Sequence, residues 1–268
     1  MSGSGSALQH KAMYERIYNT TGIRDEDEFY RWIVRLVRPA PGAQMLDVAC
    51  GEGVLVELMR QRSVHSHGID ISESALTRGR RCFPTINLVE GDAEKLPYRS
   101  AIFDGVTCLG SLENLEHPVP ALEEIRRVLK DDGIFVTMLP NKYFLGDLVR
   151  IVFGQEEWAP FQDVERVASP RQWRRFLELH GFSVITSYGY VKKSPLFKKG
   201  KLRSIPKFLK TRCLAMICPP TLAWCVVYLC RKARVSGNPK PREYGWLWKA
   251  EYATEHGLFE RASDMSQE

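Results

Sequence analysis

The most constraining feature of this 268-residue chain is the stretch from Met45 to Gly53, which reads MLDVACGEG. A short apolar run ends on the carboxylate of Asp47 and then turns through small residues, and an apolar helical pattern follows. A strand, a glycine-rich turn and a helix N-terminus together form a nucleotide pocket, because glycines let the backbone approach a ligand closely. The stretch therefore predicts a nucleotide-type pocket after the first strand of an α/β fold.

The same turn lacks two features of a dinucleotide site. A dinucleotide fingerprint has a third glycine and rests the pyrophosphate on the helix N-terminus, whereas Val56 occupies that glycine position here. Glu52 and Asp47 also place negative charge beside the position that a phosphate would occupy. The turn thus suits a nucleoside that carries positive charge and no phosphate, and S-adenosylmethionine has that chemistry.

Further segments follow in the order expected of one enzyme family. Leu46–Gly53 resembles the first motif of the class I S-adenosylmethionine-dependent methyltransferases, with Ala49 in place of its first glycine. The later segments resemble the type 11 group, which includes quinone-biosynthesis methyltransferases and enzymes of glycan and natural-product gene clusters. They look like that family's second strand, adenine-side loop, fourth strand and following helix, and they are Gly68–Ser72, Gly91–Tyr98, Phe103–Val106 and Ala121–Gly133.

The resemblance implies a role for each residue of a cofactor site. The Asp47 carboxylate would lie by the methionine ammonium, and Asp70 would accept the ribose hydroxyls. The adenine and the methyl group would meet residues that follow the third and fourth strands. No metal-ligand spacing is present, so no metal is expected. The predicted cofactor-binding residues are Asp47, Ala49, Gly51, Gly53, Asp70, Ile71, Asp92, Ala93 and Leu109.

The loop after the fourth strand offers two candidates for the catalytic site. Relatives of this pattern tend to have Ser-Leu-Glu-His, and here Asn114 stands at the histidine position. His117 can substitute, because an imidazole titrates near neutral pH and can accept a proton from an alcohol or phenol. The alternative for His117 is a helix-capping or surface residue ahead of Pro118.

Strand and helix patterns alternate along the chain, which indicates a doubly wound, mostly parallel sheet of seven strands in a Rossmann-like methyltransferase fold. We expect a lid insertion after the fifth strand and a basic insertion between the sixth and seventh strands. The predicted strands are 44–48, 64–70, 86–90, 105–109, 134–139, 182–190 and 222–229, and the predicted helices are 14–37, 54–61, 74–82, 119–129 and 170–180.

The length is enough for one large domain with its own core, and flanking segments extend it on both sides. The predicted segments are an N-terminal leader and cap helix at 1–40, an S-adenosylmethionine-binding domain at 41–235 with an acceptor lid at 141–169 and a basic, apolar insertion at 191–220, and a polar tail at 236–268.

Positive charge is concentrated in one segment. Residues 191–234 hold 12 basic residues and no acidic one, so the remaining 26 basic and 32 acidic residues give the rest of the chain a net charge of −6. Such a stretch can face an anionic membrane surface, an acidic acceptor or nucleic acid, or it can be a solvated loop. Its uncharged part, Cys213–Cys230, contains Pro219 and Pro220, which argue against a membrane-spanning helix.

These observations predict an enzyme that transfers the methyl group of S-adenosylmethionine to a small-molecule acceptor by in-line displacement. The seven cysteines are odd in number and have no Cys-x-x-Cys spacing, so we expect small buried thiols in a reducing cytoplasm. The acceptor atom is expected to be an oxygen of a sugar, a phenol or a lipid-linked group, which can be anionic, with peripheral membrane contact through 191–220. Nucleic acid is disfavoured, because no Asn-Pro-Pro-Tyr motif follows the fourth strand. Two alternatives stay open: an RNA methyltransferase that uses 191–212, and a non-catalytic S-adenosylmethionine-binding protein.

Overall fold

The computed structural model describes residues 3–20, 22–23, 25, 27–144, 166–191 and 220–233. Its strands are β1 (Gln44–Val48), β2 (His65–Asp70), β3 (Asn87–Glu90), β4 (Phe103–Leu109), β5 (Leu129–Pro140), β6 (Phe182–Tyr190) and β7 (Cys225–Lys232). Its helices are α1 (Gly3–Thr20), α2 (Asp27–Val37), α3 (Val54–Arg60), α4 (Glu73–Cys82), α5 (Pro118–Val128) and α6 (Pro170–Leu179).

The seven strands form one sheet in the order β3-β2-β1-β4-β5-β7-β6. Strands β1 to β5 pair in parallel, and β7 pairs antiparallel with both β5 and β6. The strand order reverses between β1 and β4, and ligands of open α/β sheets bind at the carboxyl ends of the strands beside such a reversal. The predicted fold, a doubly wound and mostly parallel seven-stranded sheet, is confirmed.

Helices cover both faces of the sheet, so its strands are apolar on each side. On one face α2 and α3 bury Phe29, Ile33 and Leu55 against β1 and β5. On the other, α5 and α6 bury Leu122 and Trp173 in a second cluster. The resulting three-layer core holds the carboxyl ends of β1, β2 and β4 side by side.

Most predicted boundaries lie within two residues of the observed ones, and β5 and β7 are exceptions. Strand β5 begins at Leu129 rather than at Ile134, because Leu129 already pairs with Phe103 ahead of a shift in register. Strand β7 begins at Cys225 rather than at Leu222, because Pro220–Leu222 forms a 3₁₀ turn.

The single helix predicted over 14–37 is wrong. The chain forms two helices, α1 and α2, with non-helical residues between them. Gly22 has a φ of +72°, in the left-handed region that favours glycine. Its N–H donates to the carbonyl of Ile17 at 2.9 Å and closes the end of α1. The apolar stripe that suggested one long helix belongs to α2 alone, which buries Phe29, Ile33, Val34 and Val37.

Several predictions concern residues outside the described part of the chain. Most of the proposed lid at 141–169, nearly all of the basic insertion at 191–220 and the tail at 236–268 fall there. Within the described ranges, no helix is both long and apolar enough to cross a bilayer. Cys108, Cys225 and Cys230 are buried thiols, as expected, whereas Cys82 is exposed.

Candidate active site

A cavity of about 310 Å³ opens at the carboxyl ends of β1, β2 and β4. This is the size of a small-molecule site, and it lies beside the reversal in strand order. Among its lining residues are seven of the nine predicted cofactor-binding residues: Ala49, Gly51, Asp70, Ile71, Asp92, Ala93 and Leu109.

The turn after β1 brings backbone to the cavity wall through left-handed residues. Ala49 has a φ of +55° and Gly51 a φ of +54°. Glycine adopts this conformation without steric cost, whereas alanine is strained in it. Ala49 therefore occupies a position whose backbone conformation favours glycine. The Gly51 N–H donates to Asp70 Oδ2 at 2.7 Å, which ties the turn to the end of β2.

Asp70 lies at the centre of this wall. Its Oδ1 accepts the N–H of Ser72 at 2.9 Å, while Oδ2 accepts that of Gly51. Burial raises the pKa of Asp70, and the two backbone donors oppose that rise. Each carboxylate oxygen has a further lone pair, so Asp70 can accept hydroxyl groups from a ligand in the cavity. Ser72 also caps α4 by accepting the N–H of Ala75.

Two predicted cofactor residues do not line the cavity. Asp47 is buried near the end of β1, and its Oδ1 accepts the hydroxyl of Thr107 at 2.6 Å. Burial raises the pKa of Asp47 to about 7 despite that hydrogen bond. Gly53 begins α3, and a Cβ there would lie 2.8 Å from Cδ1 of Ile86 and 2.9 Å from Cδ2 of Leu88. Gly53 therefore allows α3 to pack against β3 and makes no contact with the cavity.

The interpretation of Glu52 as a charge facing the ligand needs correction. Glu52 is not among the cavity-lining residues. Its Oε1 lies 2.9 Å from Nε of Arg78 on α4, and the pair is partly buried. The negative charge of Glu52 is therefore offset by an arginine outside the cavity, and other carboxylates must account for the acidity of the site.

The loop after β3 supplies the wall expected beside an adenine. Asp92 and the buried Ala93 line the cavity, and Asp92 Oδ1 accepts the N–H of Glu94 at 2.9 Å. Glu94 lines the cavity as well and reaches across to His117. Burial raises the pKa of Glu94, and the donors on His117 oppose that rise.

The two catalytic candidates take different positions. His117 lines the cavity, and its Nδ1 lies 3.1 Å from Glu94 Oε2. It stands at the N-terminal boundary of α5, but its side chain makes no capping hydrogen bond. Asn114 lies in a buried 3₁₀ turn, donates from Nδ2 to the carbonyl of Gly110 at 3.3 Å and does not line the cavity. The structure thus places only His117 where it can meet a ligand.

The aromatic part of the cavity wall is not predicted from the sequence. Tyr14 and Tyr18 come from α1, and Tyr30 comes from α2. The four-residue spacing of Tyr14 and Tyr18 places both on one face of a helix, and that spacing was the available signal. Tyr18 is buried, which raises its pKa. Its hydroxyl lies so near Gly51 that a Cβ there would be 2.5 Å away.

The electrostatic character of the cavity is acidic. Within the described part of the chain, its lining contains four carboxylates and neither lysine nor arginine. The four are Asp70, Asp92, Glu94 and Glu116. No group of three potential metal ligands occurs among the described residues. A ligand with positive charge and several hydroxyl or amino donors suits such a surface, and a phosphate does not.

The fold is that of an α/β domain of the methyltransferase type, and the cavity lies at the strand ends where ligands of such folds bind. Residues 46–137 match the family described as methyltransferase domain. This match and the similarity to named methyltransferases support a class I S-adenosylmethionine-dependent methyltransferase of the type 11 group, with S-adenosylmethionine as its cofactor.

Two relatives by sequence and one solved structure extend the comparison. The chain is 37% identical over 120 residues to the demethylmenaquinone methyltransferase of Renibacterium salmoninarum, which covers 44% of this chain and 51% of that protein. It is 32% identical over 161 residues to the ubiquinone biosynthesis O-methyltransferase of Hahella chejuensis, which covers 52% and 63%. The chain thus spans about half to two thirds of the length of these relatives.

Among solved structures, the magnesium protoporphyrin IX methyltransferase of Synechocystis PCC 6803, with bound S-adenosylhomocysteine, aligns with a TM-score of 0.56. That alignment covers 87% of this chain and 95% of that one at 13% identity. At this identity the likeness shows a shared fold.

Proposed function

We propose that this protein is an S-adenosylmethionine-dependent methyltransferase that methylates an oxygen of a small hydroxylated acceptor, with a phenol or quinol ring as the substrate class. One observation supports the assignment of S-adenosylmethionine as the cofactor. The cavity at the strand ends is lined by carboxylates, has a left-handed backbone turn on one side and contains neither lysine nor arginine among the described lining residues. The names of the two relatives, a demethylmenaquinone methyltransferase and a ubiquinone biosynthesis O-methyltransferase, support the acceptor class.

The chain's own residues fit this cofactor. Asp70 can accept the ribose hydroxyls, and the loop at Asp92 and Ala93 can meet the adenine. The carboxylate of Asp47, buried at the end of β1, can stabilise a nearby ammonium once it is ionised. S-adenosylmethionine supplies an electrophilic methyl group on a sulfonium.

Catalysis then rests on position and on water exclusion. Leu109, Leu115 and the tyrosines from α1 and α2 supply apolar surface to the lining of the cavity. Holding the acceptor oxygen in line with the methyl group can lower the barrier by about 7–11 kcal/mol. A water-poor site favours a step in which a cation and a nucleophile lose charge together.

The acidic lining also bears on the acceptor. Glu94 and Glu116 line the cavity beside His117, so a neutral or cationic acceptor is favoured there over an anionic one. Contact with a membrane through the basic segment at 191–220 stays a prediction, because residues 192–219 lie outside the described part of the chain. Deleting Lys198–Lys210 and measuring sedimentation with anionic liposomes tests that prediction separately.

Two measurements test the proposed function. Calorimetry should show that the protein binds S-adenosylmethionine and S-adenosylhomocysteine but not NAD, whose pyrophosphate would meet the acidic wall. Incubation with S-adenosylmethionine and either catechol or reduced 1,4-naphthoquinone should release S-adenosylhomocysteine and a methyl ether. Binding of NAD in preference to S-adenosylmethionine would contradict the cofactor assignment, and methylation of amines but not of hydroxyls would contradict the acceptor class.

A further inference from the structure

Glu94 and His117 are joined by two hydrogen bonds at the wall of the cavity. Glu94 Oε1 accepts the backbone N–H of His117 at 2.8 Å, and Glu94 Oε2 lies 3.1 Å from Nδ1 of the same residue. Glu94 follows β3 and His117 precedes α5, so residues 23 positions apart meet here. Both residues line the cavity. One carboxylate therefore holds the histidine by its backbone and by its ring.

This contact determines which ring nitrogen of His117 can accept a proton from a ligand in the cavity. An ionised carboxylate is only a hydrogen-bond acceptor, so the 3.1 Å contact requires the proton of a neutral imidazole to be on Nδ1. The other nitrogen, Nε2, then carries a lone pair, and no described residue is hydrogen-bonded to it. A carboxylate that fixes the tautomer and orientation of a histidine is the arrangement that makes an imidazole an efficient proton acceptor.

We propose that Glu94 is a positioning residue that holds His117 in the Nδ1–H tautomer, so that Nε2 takes the proton of the acceptor hydroxyl. This inference rests on the proposed function. As the acceptor oxygen bonds to the methyl carbon, the carbon–sulfur bond breaks and its electron pair returns to sulfur. The hydroxyl proton passes to Nε2, and the charge of the resulting imidazolium is offset by Glu94. Since the His117 side chain is half exposed, the proton then leaves to solvent.

A purely structural role for Glu94 would be to cap the start of α5 through the His117 N–H. The variant Glu94→Gln separates the two roles. Its amide oxygen still accepts the backbone N–H, but its NH₂ group now faces Nδ1 and requires a lone pair there. The cap is kept while the tautomer preference is reversed.

The tautomer can be read directly by long-range ¹H–¹⁵N NMR of the histidine rings at about pH 9, where imidazoles are neutral. The His117 signals are assigned with the His117→Gln variant. Wild-type protein should show mainly the Nδ1–H form. In Glu94→Gln the ratio should shift toward Nε2–H by about tenfold, the scale of one net hydrogen bond, with an unchanged melting temperature. Glu116→Gln, which changes another cavity-lining glutamate next to His117, should leave the ratio at its wild-type value.

An Nε2–H form in the wild-type protein, or an unchanged ratio in Glu94→Gln, would overturn the proposal. Calorimetry with S-adenosylmethionine on the same samples keeps the two hypotheses apart. Loss of cofactor binding in the wild type would contradict the proposed function, whatever the tautomer of His117. Normal cofactor binding with the wrong tautomer would contradict the role of Glu94 alone.

Discussion

The cavity has two walls that are built by different means. The strand wall consists of the ends of β1, β2 and β4 with their loops, and it rests on the apolar core of the sheet. Asp70 in this wall and Asp47 behind it are buried and hydrogen-bonded to neighbouring strands and loops. This wall cannot move without disturbing the packing of the whole domain.

The other wall is α1, which contributes Tyr14 and Tyr18 and is held mainly by polar contacts. Glu15 accepts the N–H groups of Glu73 and Ser74 at 2.7 and 3.1 Å, and so caps the start of α4. Arg78 donates to the carbonyl of Tyr18 at 2.8 Å. These contacts are partly buried, and polar contacts that water can reach are individually weak because water competes for the same groups. The cavity therefore has one rigid wall, formed by the strand ends, and a second wall, α1, that can move away from the sheet at lower energetic cost.

The largest effect is expected at Asp47 in the strand wall. Burial raises its pKa from the ordinary value of 3.8 to about 7, so the folded protein binds a proton that the unfolded chain releases. The stability contributed by this proton is complete below about pH 4 and is lost as the pH rises through about 7. At 1.36 kcal/mol per pKa unit, the change is up to about 4 kcal/mol.

Asp47→Asn cannot ionise, so it should escape this loss. Urea unfolding without ligand should therefore show the variant gaining stability relative to the wild type as the pH is raised from about 5 to 8. Asp104→Asn, at the far end of β4, is a suitable control because hydrogen bonds from Lys130 and Gln44 lower the pKa of Asp104 against the effect of burial. A gap between Asp47→Asn and wild type that stays constant with pH would show that Asp47 is ionised in the folded protein throughout.

The second prediction concerns the ligand contact of the same wall. Asp70→Ala removes the acceptor proposed for the ribose hydroxyls and leaves the N–H groups of Gly51 and Ser72 without this carboxylate. The affinity for S-adenosylmethionine should fall at least about tenfold in calorimetry, since each hydrogen bond to a charged group contributes about 1.5–3 kcal/mol. Asp104→Ala, remote from the cavity, should bind as the wild type does. Equal affinities in all three proteins would refute the assignment of Asp70.

The difference between the two walls also explains what the sequence could and could not predict. The strand wall follows from local patterns: apolar runs that end on Asp47, Asp70 and Leu109 are adjacent because parallel strands align their ends. The α1 wall depends on a contact between Glu15 and the start of α4, 58 residues later. No local pattern specifies such a contact, and the apolar stripe of α2 masked the boundary at Gly22.

Side-chain direction was the other part that the sequence could not determine. Glu52 lies in the ligand-binding turn, but its carboxylate pairs with Arg78, which belongs to another helix. Glu94 was part of a recognised motif, yet its contact with His117 depends on how α5 is placed against the loop after β3. Both outcomes depend on tertiary packing, which residue spacing along the chain does not encode.

The third prediction tests how α1 is held. Glu15→Ala removes the carboxylate at the N-terminus of α4 and should lower stability by about 1 kcal/mol, the typical value of a helix cap. Since Tyr14 and Tyr18 would be less well ordered, the affinity for S-adenosylmethionine should fall a few-fold. Thermal unfolding and calorimetry measure the two effects, with the nearby exposed Arg16→Ala as control. A loss of affinity as large as that of Asp70→Ala would mean that both walls are equally important for binding.

The pH dependence of this contact should be opposite to that of Asp47. Burial tends to raise the pKa of Glu15, but the hydrogen bonds from Ser74 and Glu73 outweigh it and lower the pKa. The stability gained is therefore present above the ordinary value of 4.5 and is lost as the pH falls through the lower folded value. Acidification below the ordinary value of 4.5 should therefore loosen α1 while protonated Asp47 stabilises the strand wall. Hydrogen exchange of α1 amides that slows as the pH falls below about 4, after correction for intrinsic rates, would contradict this expectation.

The smallest effect is expected for the ion pair between Lys11 on α1 and Glu90 at the end of β3, since both side chains are more than one third exposed. Such pairs contribute about 0–1 kcal/mol, and salt screens them. Lys11→Met keeps most of the apolar stem and should change the melting temperature by less than Glu15→Ala does, with no difference from wild type at high salt. If Lys11→Met lowered the melting temperature more than Glu15→Ala, α1 would be held by its exposed charge rather than by the cap on α4. The α1 wall would then be loosened by rising ionic strength instead of by falling pH.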